Sequence, residues 1–375
     1  MTVAAFLAIV LAPSTVLCAA PVNAFGDARL AFYASEREAR DGTETKDEGL
    51  RLRLRLGAEA QLADGWMLRG RVAGRFTTDQ DRTRFWTNGW TPTRTGLDDG
   101  DAAVDELFIR YAPEGARWSL RAGRFQSKIE LMGVAAKSLD RNDSPNVDIT
   151  WTDGLHLQYA HSPAWRTHLV LQNTTSNGTS QATRGPLAFD DSSSRITTFA
   201  ALESTQPLGP LKQRVFAATW MPDALATGGP GEARREDYVT FTTKLFAEWP
   251  IGTDGMRGGL GGEAGYAPHT PVESAVNAGE DNSADGWAYQ LSMNLFDFAP
   301  NNNIAFVFGR AGAGWLISPD FRNNDRLMEI RYQLVISKTL SVEARLRRRE
   351  EIDVPDDAMQ ERIDDDFYLR LSAKF

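Results

Sequence analysis

A single cysteine, Cys18, stands in the 375-residue chain, which excludes a disulfide within it and leaves no pair for a metal thiolate site. Past the N-terminus no apolar run reaches the ~20 residues that a membrane helix requires, so a helical membrane protein is excluded. No phosphate loop, zinc-ligand spacing or dinucleotide fingerprint occurs, and no cofactor, metal or nucleic-acid partner is expected. Histidine is scarce, with only His156, His161, His168 and His269. His156 and His168 fall on neighbouring segments, but no serine or carboxylate is fixed beside them by sequence, so an enzyme is not the expected class.

The first 24 residues, MTVAAFLAIVLAPSTVLCAAPVNA, have an apolar stretch from Val3 to Ala12, a break at Pro13, and Val22-Asn23-Ala24 as a small-residue cleavage site. This is the pattern of a secretory signal, although no Lys or Arg precedes the apolar run. The expected division is a signal peptide over 1–24 and one mature domain over 25–375. A cut after Ala24 removes Cys18 and leaves an exported chain without cysteine.

Between Leu50 and Leu62 the sequence LRLRLRLGAEAQL places an apolar residue at every even position. On a helix these leucines would scatter around the axis, whereas on a strand they share one face and Arg51, Arg53 and Arg55 share the other. About sixteen such segments follow the signal, each long enough to cross a bilayer at a tilt. Short connections at 63–65, 113–116, 161–164, 206–212, 250–255, 298–303 and 337–339, all but the last rich in turn formers, alternate with long polar ones at 38–48, 77–102, 126–153, 174–194, 222–236, 268–285, 313–325 and 350–365. Only the segments 195–205 and 214–221 lack a clear phase, and Arg348 falls on an apolar face. Trp66, Tyr111, Trp118, Tyr159, Trp165 and Trp249 all sit beside a short turn, where an interfacial aromatic girdle belongs. A soluble sandwich or propeller could house many strands, but it requires no such alternation of connections. The expected fold is all-β: a transmembrane antiparallel up-and-down β-barrel with short periplasmic turns and long extracellular loops.

With its signal, its alternating connections, the terminal Phe375 in LRLSAKF and the segment RAGRFQSKIELMG after the fifth strand, the chain resembles the sixteen-stranded porins of Gram-negative outer membranes. The resemblance implies an outer-membrane location, a water-filled channel for small hydrophilic solutes, and a homotrimer. It implies that Phe375 is read by the barrel assembly machinery, and that 126–153 folds inward to constrict the pore. Loop acids would meet lipid and lipopolysaccharide at the outer surface.

If the apolar phase faces lipid, the other phase faces the pore, because an arginine facing hydrocarbon at mid-membrane costs roughly 2–4 kcal/mol. The expected pore-lining cations are Arg51, Arg53, Arg55, Arg69, Arg71, Arg75, Arg110 and Arg121. On the constricting loop the candidates are Lys128, Glu130, Asp140, Arg141, Asp143 and Asp148, whose acids would face the arginine wall. The alternative is that the arginines only brace the wall through salt bridges. The chain carries a formal charge of −9, with acids concentrated in the long loops. Screening over about 8 Å at physiological salt leaves the wall to govern mid-pore selectivity, so a modest preference for anions or acidic solutes is expected. A selective channel for phosphate or organic acids is the competing transport reading. Cleavage after Ala24 is checked by intact mass of the exported protein: the mature chain should begin at Phe25 and take up no thiol reagent, and a labelled product overturns it.

Overall fold

The computed structural model describes residues 21–78, 84–85, 101–143, 149–174, 187, 195–226, 235–253, 255–279 and 282–375. The chain runs β1 (Val22–Glu38), β2 (Glu44–Ala63), β3 (Trp66–Thr77), β4 (Arg84–Phe85), β5 (Asp101–Tyr111) and β6 (Trp118–Phe125). It continues through β7 (Thr152–Ala160), β8 (Arg166–Thr174), β9 (Arg195–Ser204), β10 (Leu211–Ala226), β11 (Arg235–Pro250) and β12 (Arg257–Tyr266). The last strands are β13 (Trp287–Ala299), β14 (Asn302–Ala311), β15 (Asp325–Val335), β16 (Leu340–Glu351) and β17 (Ile363–Lys374). Among the described residues, all seventeen strands belong to one sheet. β4 is a two-residue parallel pairing against β5 at the long-loop rim, and the other sixteen form the wall, each antiparallel to its neighbours in chain order. β1 pairs with both β2 and β17, so the ring closes and no edge is left. Gly26 and Phe375 exchange backbone hydrogen bonds of 2.8 and 3.1 Å across that seam.

Period-two alternation sorts the side chains as the sequence pattern requires. Leu30, Leu50, Leu56, Leu346 and Leu369 point outward and are exposed, while Arg53, Arg55, Arg345 and Arg370 point inward and are buried. Arg348 does face outward, but at the long-loop end of β16, bonded to Asp365 at 3.0 Å and Glu350 at 2.6 Å. Lys46, paired with Glu36 and Glu44, lies on the same outer face, so a charged collar caps the apolar band there. A first girdle of Trp66, Trp118, Tyr159 and Trp249 is exposed at the short-turn rim, with Trp66 stacked on Tyr111 at 4.3 Å. Trp220, Tyr266 and Trp287 mark a second one near the long-loop rim, which the sequence reading did not identify.

Two expectations need correction. The connection expected over 38–48 is only 39–43, because β1 and β2 run on as a hairpin of 17 and 20 residues. Strands past the apolar band keep their hydrogen bonds to each other and can rise into water. The phase of 195–205 and 214–221 is also regular: Phe199, Val215 and Ala217 point inward and join an internal cluster with Ile129 and Val170. Apolar residues lie on both faces there, which erased the alternation. Leu56→Arg, placed on the lipid side midway along the apolar face of β2, should cost about 2–4 kcal/mol in a urea-unfolding titration in lipid vesicles. A cost near zero would mean that this face meets water.

Candidate functional site: the constricted lumen

The long connection between β6 and β7 folds into the barrel. Met132 N–H donates to Gln213 on β10 at 2.8 Å, Leu139 N–H to Glu263 on β12 at 3.0 Å, and Val134 N–H to Asn294 on β13 at 2.9 Å. From β15, Arg331 donates to the Ala135 carbonyl at 2.9 Å and Glu329 pairs with Lys137 at 2.9 Å. The loop therefore crosses the interior from β6 to the opposite wall. Asp140 anchors it by an ion pair of 2.8 Å to Lys244 on β11, which also holds Glu263 at 2.7 Å. All three are buried, and removing one member of such a group leaves charge without compensation, at about 3–5 kcal/mol.

A second segment, between β14 and β15, folds in beside it. Trp315, Leu316, Ile317 and Phe321 are buried against Leu139 and Ala135. Trp315 Nε1 donates to the Leu139 carbonyl at 3.0 Å, and the Asp320 carboxylate accepts from Ser138 N–H and Asn142 Nδ2. Room for it is made on the wall: a β-carbon at Gly265 would overlap Trp315, and one at Gly309 would overlap Phe321. This stretch read as a polar loop in the sequence, although the apolar triplet Trp315-Leu316-Ile317 was a signal of burial. Together the two segments fill the side of the barrel bounded by β8–β15.

The opposite side, β16 through β3, is the arginine wall. Register places Arg29, Arg53 and Arg75 in one lateral row across β1, β2 and β3. Arg29, Arg37 and Arg349 were not among the expected cations, yet the same alternation puts them inward. Near the long-loop mouth, cavities of about 500 and 320 Å³ share Arg37 and Arg322, the first adding Arg40 and Arg362 and the second Arg347 and Arg349.

Many wall arginines are braced. Arg53 and Arg55 both bind Asp27, at 3.0 and 2.9 Å. Arg71 binds Asp105 at 2.7 Å, Arg69 binds Glu59 and Glu106 at 3.0 and 2.7 Å, and Arg51 binds Asp47 at 3.3 Å. Arg75 also has a partner. Among the described residues, Arg110 and Arg121 have no carboxylate within ion-pair distance. Asp105 escaped the sequence reading because a bulge between Arg71 and Val72 shifts the register and turns it inward.

The loop candidates separate into two groups. Lys128 and Glu130, 3.6 Å apart, retain side-chain exposures of 37% and 25%. Loss of water lowers the Lys128 pKa; Glu130 opposes that shift, while Arg29, Arg53 and Arg55 add to it. Burial raises the Glu130 carboxyl, with Lys128 and Arg29 pulling against it. Asp140, Arg141 and Asp143, in contrast, are buried and hold the loop instead of presenting acids to the arginine wall, which corrects the expectation for both aspartates. Burial would raise Asp140, but Lys244, Thr242 and Ser138 outweigh it and keep the carboxyl below its ordinary value. Arg141 donates to Ser127, Thr152 and Gln172. Asp148 lies outside the described residues. The histidines do meet: His156 Nε2 and His168 Nδ1 are 3.1 Å apart, and His168 Nε2 lies 3.0 Å from Glu203, a carboxylate that sequence spacing did not reveal.

No family model matches the chain, and no curated protein matches its sequence. Solved structures do match its fold. OprB of Pseudomonas putida aligns with a TM-score of 0.61 at 12% identity, over 94% of this chain and 94% of that one. The outer membrane channel DcaP of Acinetobacter baumannii aligns at 0.54 and 13% identity, over 97% and 100% of the two chains. An anion-selective porin from Comamonas acidovorans aligns at 0.52 and 11% identity, over 95% and 100%. The chain thus has the closed sixteen-strand antiparallel barrel of outer-membrane porins.

Burial pushes the Asp143 carboxyl up to about 7, against Arg141 and the donors Ser127 N–H and Thr152 Oγ1. A carboxyl raised on folding contributes stability that is full below its ordinary value and lost as pH rises through about 7. Proteolysis of the inward loop should therefore be faster at pH 8.5 than at pH 5.5, and Asp143→Asn should flatten the difference. A flat wild-type profile would show that Asp143 does not titrate in this range.

Proposed function

We propose that the protein is an outer-membrane porin whose lumen passes small hydrophilic solutes by diffusion and favours anions or acidic solutes. The observation that carries this reading is the row of Arg29, Arg53 and Arg75 on the wall, with Lys128 of the inward loop in electrostatic range of Arg29 and Arg53. Bracing by Asp27 and its neighbours offsets part of that charge, so the preference is modest. Acids in the outer loops are screened from a mid-pore ion over about 8 Å at physiological salt.

Export by removal of residues 1–24, a homotrimer, recognition of Phe375 by the barrel assembly machinery, and contact of the outer loops with lipopolysaccharide complete the proposal. β1 begins at Val22, so a cut after Ala24 trims three residues that pair with Ala60, Glu59 and Ala58. In a planar bilayer under a KCl gradient, the reversal potential should take the sign of chloride preference. Replacing Arg29 and Arg75 by glutamine should move it toward zero. Cation preference in the wild type would mean that the loop acids govern the pore, and no conductance would remove the porin reading.

A further inference from the structure

The inner wall where β5, β6 and β7 meet differs from the braced wall beside it. Cross-strand register there reads Met67, Arg110, Arg121, His156 from β3 to β7. No carboxylate occupies this row. Outward exposure of Leu107, Ile109 and Trp118 fixes the phase, so Arg110 and Arg121 both point into the lumen, half-buried and directly opposite one another. Like charges at such a pairing repel and destabilise the sheet unless something lies between them. The carboxylate whose charge reaches Arg121 is Glu106, which is already held by Arg69 at 2.7 Å and Arg71 at 3.2 Å. His156 is turned to His168, and the Phe108 ring lies 5.7 Å from the Arg121 guanidinium. Farther along the same strands, register aligns Phe108 with Gly123 and Gly154, so two of those three positions carry no side chain that could cover the pair.

We propose that Arg110 and Arg121 form a binding subsite for an oxyanion, the carboxylate or phosphate group of a passing solute, on the inner wall near the short-turn rim. Residues opposite each other on antiparallel strands have Cα atoms about 4.5–5.5 Å apart, which lets two planar guanidinium forks close on one oxyanion from both sides. Bound there, the anion supplies the negative charge that the row lacks. The subsite rests on the channel reading for its role in transport, but its binding chemistry can be tested apart from conduction.

Inorganic phosphate would be titrated into the folded, detergent-solubilised full chain, with phosphorus NMR linewidth as the readout. Arg110→Gln with Arg121→Gln should raise the half-saturating concentration at least tenfold, whereas Arg110→Lys with Arg121→Lys, which keeps the charge but loses the fork, should fall between. Arg117→Gln, which removes an exposed arginine in the adjacent turn, should leave phosphate binding within twofold of wild type. Equal binding by wild type and the double glutamine variant overturns the subsite, as does wild type that broadens no phosphate signal. If the glutamine variant does not fold, the lysine variant decides by the same criterion. A separate bilayer recording distinguishes the two ideas: phosphate binding lost in the variants while wild type carries no current supports the subsite and removes the channel reading.

Discussion

Hydrocarbon offers backbone amides no hydrogen-bond partner, and the closed sheet is the consequence on which this structure depends. Closure is made by the two ends of the chain, where Gly26 and Phe375 bond across the seam between β1 and β17. Once the ring is closed, each strand has only two faces to offer. Leu50 through Leu62 can meet lipid only if Arg51, Arg53 and Arg55 turn inward. The inner face of this part of the wall is thus polar because its outer face is not.

Such a wall must answer its own repulsion. Asp27 between Arg53 and Arg55, Asp105 against Arg71, and Asp366 between Arg345 and Arg347 bind neighbouring arginines together. Where carboxylates stand beside the arginines, as at Asp27 and Asp366, the charges are paired, whereas the row of Arg110 and Arg121 holds no carboxylate. The other half of the barrel solves a different problem. Its inner face carries Phe199, Val215, Tyr238 and Phe246, which would be poor linings for water and instead pack the two inward segments. The barrel interior is asymmetric for this reason, packed on one side and charged on the other.

Much of this was legible from the residues alone. Alternation located the strands, the turn composition located the short rim, and the aromatic residues marked its girdle. The inward course of 126–153 came instead from the resemblance to porins. Where the reading failed, the causes are specific. Asp105 is displaced by a bulge, β1 and β2 continue past the membrane as a paired hairpin, and the 195–226 region has apolar residues on both faces because its inner one packs a loop. Trp315, Leu316 and Ile317 were readable as a buried triplet, but the surrounding polarity of their loop hid them.

By itself the sequence determined that the chain forms a barrel and, where its strands alternate without a bulge, which side chains face its interior, since a period of two needs no information beyond neighbours along one strand. Which of those charges are paired was decided only by tertiary structure. Lys244 reaches Asp140 across more than a hundred residues, Asp27 reaches Arg53 and Arg55 through the register of a hairpin, and Arg110 meets Arg121 across a turn. A charge is neutralised by what stands a few ångströms away, and in a closed sheet that neighbour is set by register and by inward loops, neither of which the local pattern encodes.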